Sequence, residues 1–303
     1  MGSARLLDDG ERAAAPAASR AAAFDLARRL PSIVASARAL SSQLAHGVHG
    51  RRRAGVGEDF WQFRPHAAGE SAASVDWRRS ARADRLFVRE REWQAAQDVA
   101  LWIDRSRSMD FASSPALHAK VSRALVIGLA LADLLVRGGE RVSLLGLTKP
   151  VAARDVIERF AAALATGRGG DAAAEIPLSA PGARRSQFVL IGDFLSDASA
   201  IAASIARLAA AGAGGHLLMI ADPAEETFPY RGHVEFADVD GAHRLRVGMA
   251  EGLREAYADA LAAHREALRD ACRRLGWSFA IHRTDRPPAE ALLALRMRLE
   301  APR

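Results

Sequence analysis

Two continuous apolar runs along the chain end abruptly at an acid: Val99-Ala100-Leu101-Trp102-Ile103 before Asp104, and Phe188-Val189-Leu190-Ile191 before Gly192-Asp193. Short apolar runs bounded by polar residues suit central strands of a parallel sheet, which is buried on both faces. His216 to Ala221, Arg141 to Leu147 and Trp277 to Ile281 are further strands, and Lys149-Pro150 turns the second of these into a short antiparallel return at Val151 to Arg154. Arg85 to Trp93 alternates and predicts an edge strand leading into Val99. Alternation on both sides of Asp240-Gly241, from Val234 to Val247, predicts a hairpin.

Helical spacing fills the gaps between these strands. From Arg20 to about Ala45, Phe24, Leu26, Leu30, Ile33, Val34, Leu40 and Leu44 recur at near-helical intervals, and Pro31 predicts a break into two pieces. A very apolar helix is expected from Pro115 to Val136, with Ser114 as its cap and Gly138-Gly139 as its stop. Further helices are expected over Val156 to Leu164, capped by Asp155, and over Ala198 to Ala210, capped by Ser196 or Asp197. The last two run from Glu251 to Leu275, with Tyr257, Leu261 and Leu268 inward, and from Pro288 to Leu299. Strands alternating with helices predict an α/β fold with a mostly parallel sheet.

Composition narrows the setting. With 303 residues, half of them hydrophobic, the chain is long enough for one large α/β domain with an appendage or for two modest domains. One cysteine, Cys272, excludes an internal disulfide framework or a cysteine-based zinc cluster and suits a reducing compartment. The alanine-rich start is broken by charges and lacks a signal peptide's apolar centre, and the stretch from Ala124 to Val136, interrupted by Asp133, is short of the ~20 residues that span a bilayer. A soluble, cytoplasmic protein is expected. The net charge is +6, and only Lys120 and Lys149 are lysines, so arginine carries nearly all the positive charge. With 6% aromatic residues and no recognisable module, nucleic-acid binding is not expected, and Arg28-Arg29 and Arg51-Arg52-Arg53 read as solvated charge.

The chemistry concentrates where the first run stops. Asp104-x-Ser106-x-Ser108 puts one carboxylate and two hydroxyls on one loop at a strand's carboxyl end, where ligands of open α/β sheets bind. Such oxygens can form part of a Mg²⁺ shell, or the serines can simply satisfy loop backbone groups. A second parallel strand would bring Asp193 to the same edge, although that acid can equally serve a turn. Asp238-x-Asp240-Gly241 lacks the other ligands of a calcium loop, and His264 and His282 read as structural. Between Gly55 and Arg82 no period is evident; Phe60, Trp61 and Trp77 are expected to anchor an irregular segment.

Several linked motifs in that region carry a resemblance. Gly55-x-Gly57-Glu58-x-Phe60, Arg64, Gly69-Glu70, Asp76-Trp77, Ser80-Ala81-Arg82 and Asp104-x-Ser106-x-Ser108-Met109 together resemble the signature of a bacterial family known as domain of unknown function fifty-eight. Gly69-Glu70 stands where the family usually has Gly-Asp, and His66 where it has Tyr. The resemblance implies a von Willebrand A-like, doubly wound domain over residues 99–303. Residues 51–98 would be a family-specific segment packing on it, and residues 1–50 an N-terminal tail with helices. It also implies a metal-ion-dependent adhesion site formed by Asp104, Ser106, Ser108 and Asp193, holding Mg²⁺ or, in its place, Mn²⁺. The threonine that the pattern places in an intervening loop is missing: Gly169-Gly170-Asp171 stands there, with Thr166 displaced, so the site would be short of one direct ligand. Family members are typically encoded beside MoxR-type AAA+ ATPases, which makes such an ATPase, with an unidentified client protein, the implied partner.

The resulting expectation is a non-enzymatic protein-interaction module acting in assembly or maturation of other proteins. The alternative is a metal-dependent hydrolase or phosphatase using Asp104. Against it, enzymes with an aspartate nucleophile want a second carboxylate two residues on, where this chain has Ser106. Nonspecific nucleic-acid binding through arginines is the third reading.

Overall fold

The computed structural model describes residues 28–45, 60–67, 70–72, 75–83, 85–91, 97–114, 117–166, 186–210, 213–237 and 244–300. The expected tail to residue 19, the glycine loop from Gly47 to Gly57, the 167–171 loop and the Asp240-Gly241 turn lie outside them. The chain divides into two compact units, residues 48–96 and residues 1–47 together with 97–303.

In the smaller unit, β1 (Phe60–Pro65) pairs antiparallel with β2 (Phe87–Arg91). The edge strand expected over Arg85 to Trp93 therefore belongs to a separate two-stranded sheet: alternation identifies a strand but not its neighbour. Several signature residues hold this unit together. Asp76 caps α2 (Trp77–Ser80) by accepting from the Arg79 N–H at 3.0 Å. The Ser80 hydroxyl donates to the Asp76 carbonyl at 2.8 Å and accepts from the Phe87 N–H at 2.9 Å. Glu70 accepts from the Ala67 N–H. Trp77, expected as an anchor, is 61% exposed. It occupies the first helical position after the cap, on the solvent side of a single turn.

The larger unit is built on a five-stranded parallel sheet. Its members are β3 (Asp98–Ile103), β4 (Arg141–Leu144), β5 (Gln187–Gly192), β6 (Gly214–Ala221) and β9 (Ser278–Arg283), in the order β4-β3-β5-β6-β9. Successive side chains alternate between faces. Leu101, Ile103, Val189, Ile191, Leu218 and Ile220 meet a helical layer formed by residues 28–45 (α1), α3 (Lys120–Arg137), α4 (Val156–Thr166) and α8 (Pro288–Leu299). Trp102, Phe188, Leu190, Leu217 and Met219 meet α5 (Ala198–Ala210) and α7 (Arg254–Arg274) on the other face. The helix α3 approaches β3 closely at Gly128, where a Cβ would lie 2.6 Å from Ile103 Cδ1.

Three helix expectations are corrected. Residues 28–45 run as one helix through Pro31, whose missing N–H would have bonded a carbonyl outside the described residues. The helix expected at Pro115 begins at Lys120; the Ser114 carbonyl accepts from the Leu117 N–H in a separate turn, and the Lys120 N–H bonds Phe111 O. Asp155 precedes α4 as expected, but its carboxylate accepts from Arg159 Nε, at 2.8 Å, one turn along. The antiparallel return after β4 is a single bridge between Val142 and Val151. The predicted hairpin forms from β7 (Val234–Ala237) and β8 (Arg244–Val247), and α6 (Pro223–Thr227) follows β6.

Candidate functional site

Strand order decides where a site can lie. The chain goes from β3 to β4 on one side and then crosses to β5 on the other, so the carboxyl ends of β3 and β5 flank the point where the winding reverses. Ligands of open α/β sheets bind at such a point. Asp104 and Asp193 are the first residues beyond these two strands, and the sheet brings them together. The Asp104 N–H continues the ladder onto Ile191 O at 2.8 Å. Gly192 makes room for this: a Cβ there would lie 2.9 Å from Asp104 Cβ and 3.1 Å from Asp104 Oδ2.

The motif loop then folds on itself. Fully buried Asp104 accepts the Ser106 N–H on Oδ1 at 2.8 Å, and a 3₁₀ turn follows over Arg107–Asp110. Ser106 occupies the cap position of that turn without using its hydroxyl as the cap. Instead, Ser106 Oγ and Ser108 Oγ lie 3.0 Å apart in a mutual hydrogen bond. Among the described residues the two hydroxyls thus face each other rather than the loop backbone, which removes the simpler expectation for them.

Asp193 is followed by Phe194, whose φ of 48° lies in the left-handed region that side chains disfavour. Burial of its ring near Trp102, with centroids 6.0 Å apart, and a 2.7 Å bond between Phe194 O and His264 Nε2 hold that conformation. The turn leaves Asp193 buried and Leu195 43% exposed.

Three further residues complete the edge. Lys120, the first residue of α3, is 1% exposed and donates from Nζ to Asp193 Oδ2 at 2.9 Å and to Glu225 Oε1 at 2.5 Å. Phe111, itself 37% exposed, places its ring centroid 5.9 Å from the same Nζ. Glu225 also accepts from the Asp222 N–H through Oε2, and Asp222 accepts from Ala224 N–H, forming a capping box at the start of α6. Asp222 Oδ2 accepts from the Ser113 N–H at 3.0 Å, tying the motif loop to the end of β6. Burial by itself would lower the pKa of the Lys120 ammonium, but Asp193 and Glu225 outweigh it and the net shift is upward. Burial pushes the Glu225 carboxyl up, and Lys120 opposes that rise.

Sequence reasoning missed Lys120, Asp222 and Glu225. Asp222 had a signal, since β6 is a third apolar run ending in an acid. Lys120 had a fainter one, as one of two lysines in a chain that otherwise uses arginine.

Do these residues suit the implied Mg²⁺? The two hydroxyls do, because cis ligands on an octahedral ion bound at ~2.1 Å stand about 3 Å apart. The rest do not. Asp193 Oδ2 is engaged by an ammonium, and Thr166, the displaced hydroxyl, donates within its own helix to Ala162 O at 2.8 Å. The stretch from Gly169 to Asp171 lies outside the described residues. Among the described residues no three His, Cys, Asp or Glu side chains gather as metal ligands. As a complete divalent-cation site the set does not fit.

Comparisons with known proteins agree with the family resemblance. A family model described as "Protein of unknown function DUF58" matches residues 62–267. Uncharacterized proteins of Mycobacterium tuberculosis and Mycobacterium bovis are each 28% identical over 262 residues, covering 80% of this chain and 79% of theirs. Among solved structures, the conserved hypothetical protein BatB from Bacteroides thetaiotaomicron matches with a TM-score of 0.35 and 13% identity, over 67% of this chain and 97% of that one. An aerotolerance-related membrane protein from Bacteroides fragilis matches with a TM-score of 0.37 and 18% identity, over 67% and 98%. Likenesses this distant transfer no property. Among the described residues no helix is long and apolar enough to cross a membrane.

Proposed function

We propose, starting from a chain that belongs to the DUF58 family of proteins of unknown function, that it is a non-enzymatic protein-interaction module that docks a partner on the carboxyl edge of β3, β5 and β6. One observation carries this reading. On the loop after β3, partly exposed Ser108 is bonded to the buried Ser106 hydroxyl and Phe111 is exposed, while the loop after β5 joins exposed Leu195 to an acid, Asp193, held by a buried ion pair. Apolar groups around a few fixed polar ones are the usual make-up of a recognition surface. Asp104 acts as a positioning residue: it is fully buried and one oxygen holds the Ser106 N–H, a poor placement for a nucleophile that must meet substrate. The family resemblance supports a MoxR-type AAA+ ATPase as the partner, with the pair acting on assembly or maturation of a client.

The test is capture of the purified ATPase on immobilised protein. A Ser106→Ala, Leu195→Asp double variant that remains folded should lose about tenfold or more in affinity, the scale of a docking hot spot. Undiminished capture by that variant would place the docking surface elsewhere, and turnover of a phosphate ester lost in Asp104→Asn would replace the reading with hydrolysis.

A further inference from the structure

We infer that the Lys120 ammonium is the resident cation of this edge, standing in for a divalent ion between the acids that follow β5 and β6, so that docking here is independent of metal; the docking half of this statement rests on the function proposed above.

The position of Lys120 is not one that local preferences select. It opens α3, at the end of a helix where the dipole is positive and a cation is disfavoured, and no acid occupies the first turn to offset it. Burial of a charge is costly unless it is paired. Lys120 is nevertheless buried, and its Nζ meets a carboxylate from each of two other segments, Asp193 after β5 and Glu225 in α6. What holds it there is tertiary charge.

The choice of residue points the same way. All but two of the 42 basic residues are arginine, yet this position carries lysine. An ammonium is a compact point charge that fits between two carboxylates, whereas a guanidinium is a planar fork needing more room. Oxygen ligands surround Ca²⁺ at 2.3–2.6 Å, so a cation in place of Nζ would draw the two carboxylate oxygens, now 2.5 and 2.9 Å away, slightly inward. Asp193, one of the four residues of the implied metal site, is therefore committed through Oδ2 to a covalently tethered cation. Lys120 is 1% exposed while Phe111, its ring centroid 5.9 Å from Nζ, is 37% exposed, so a partner meets the ring rather than the charge.

Thermal unfolding and calorimetric titration with Mg²⁺, Mn²⁺ and Ca²⁺ test this on the full chain alone, without any partner. The wild type should bind none of them. Lys120→Ala, which opens the space between Asp193 and Glu225, should be destabilised and then recover by about 5 °C or more in Tm with Ca²⁺ or Mn²⁺ at roughly 100 times the dissociation constant. Lys120→Met, which fills the space without charge, should not recover. A lysine with only a packing role would give two variants equally indifferent to cations, and that result overturns the inference. So does a Lys120→Ala chain that stays unfolded in every cation, and so does wild-type binding of Mg²⁺ that Ser106→Ala abolishes. The two readings separate in the capture assay. Capture lost on adding a chelator overturns metal independence but leaves docking standing, whereas capture indifferent to Ser106 and Leu195 removes the docking surface but leaves the role of Lys120 to the titrations.

Discussion

Replacing Gly192 by alanine tests how tightly the two strand ends are fitted. The new Cβ would fall 2.9 Å from Asp104 Cβ, 3.1 Å from Asp104 Oδ2 and 3.3 Å from the Trp102 ring. Asp104 cannot simply swing away, because its N–H is fixed to Ile191 O and its Oδ1 to the Ser106 N–H, each at 2.8 Å. Overpacking a dense interior costs ~1–3 kcal/mol. If the carboxylate rotates instead, a charge-assisted hydrogen bond worth ~1.5–3 kcal/mol is lost. Either route predicts a loss of about 1–3 kcal/mol, a fall in Tm of roughly 2–12 °C for a unit of this size, measured by thermal and denaturant unfolding. Asp104→Gly removes both Asp104 atoms that the new methyl meets, so adding Gly192→Ala to it should cost far less than in the wild type. Gly252→Ala, with nothing within 4 Å of the added Cβ, is the control and should stay near wild type. A Gly192→Ala protein within about 0.5 kcal/mol of wild type would refute the reasoning.

Two further outcomes concern buried titratable groups. Burial first, and then the neighbouring Arg123, hold the His282 imidazole at about 4, below its usual 6.5. The unfolded chain therefore takes up a proton that the folded one refuses, and stability present above pH 6.5 should be lost as pH falls towards 4, by about 3 kcal/mol in all. His282→Gln should flatten that part of the stability profile. Burial also pushes the Cys272 thiol up to about 12, so in the native protein it should react with a thiol reagent far more slowly than after unfolding, as followed by absorbance.

The main sheet was legible because its strands are short apolar runs with polar ends, and the same feature marked Asp104 and Asp193. The residues that complete the edge were harder to see, for different reasons. Asp222 repeats the pattern and was open to the same argument. Lys120 was not, since a lone lysine at the start of an apolar helix usually reaches for water with its charged end, and only tertiary neighbours reveal that this one turns inward. Glu225 looks like one of two adjacent surface acids until the capping box fixes its direction. The role of the serines also depended on geometry, because a hydroxyl that caps a loop and one that faces another hydroxyl look identical in sequence. In the smaller unit, the pairing of β1 with β2 joins segments more than twenty positions apart, beyond the reach of local periodicity.

The ties between the motif loop and the end of β6 govern when the edge can exist at all. Lys120 reaches Glu225 across 105 positions and Ser113 reaches Asp222 across 109. Closing loops of that length is slow compared with forming the helices between them. A chain emerging from its N-terminus thus carries the loop beyond β3 as an open, unfinished segment until residue 225 has been delivered. No fragment ending before α6 can assemble the edge, so a partner that recognises it also reads whether the sheet has been completed through β6.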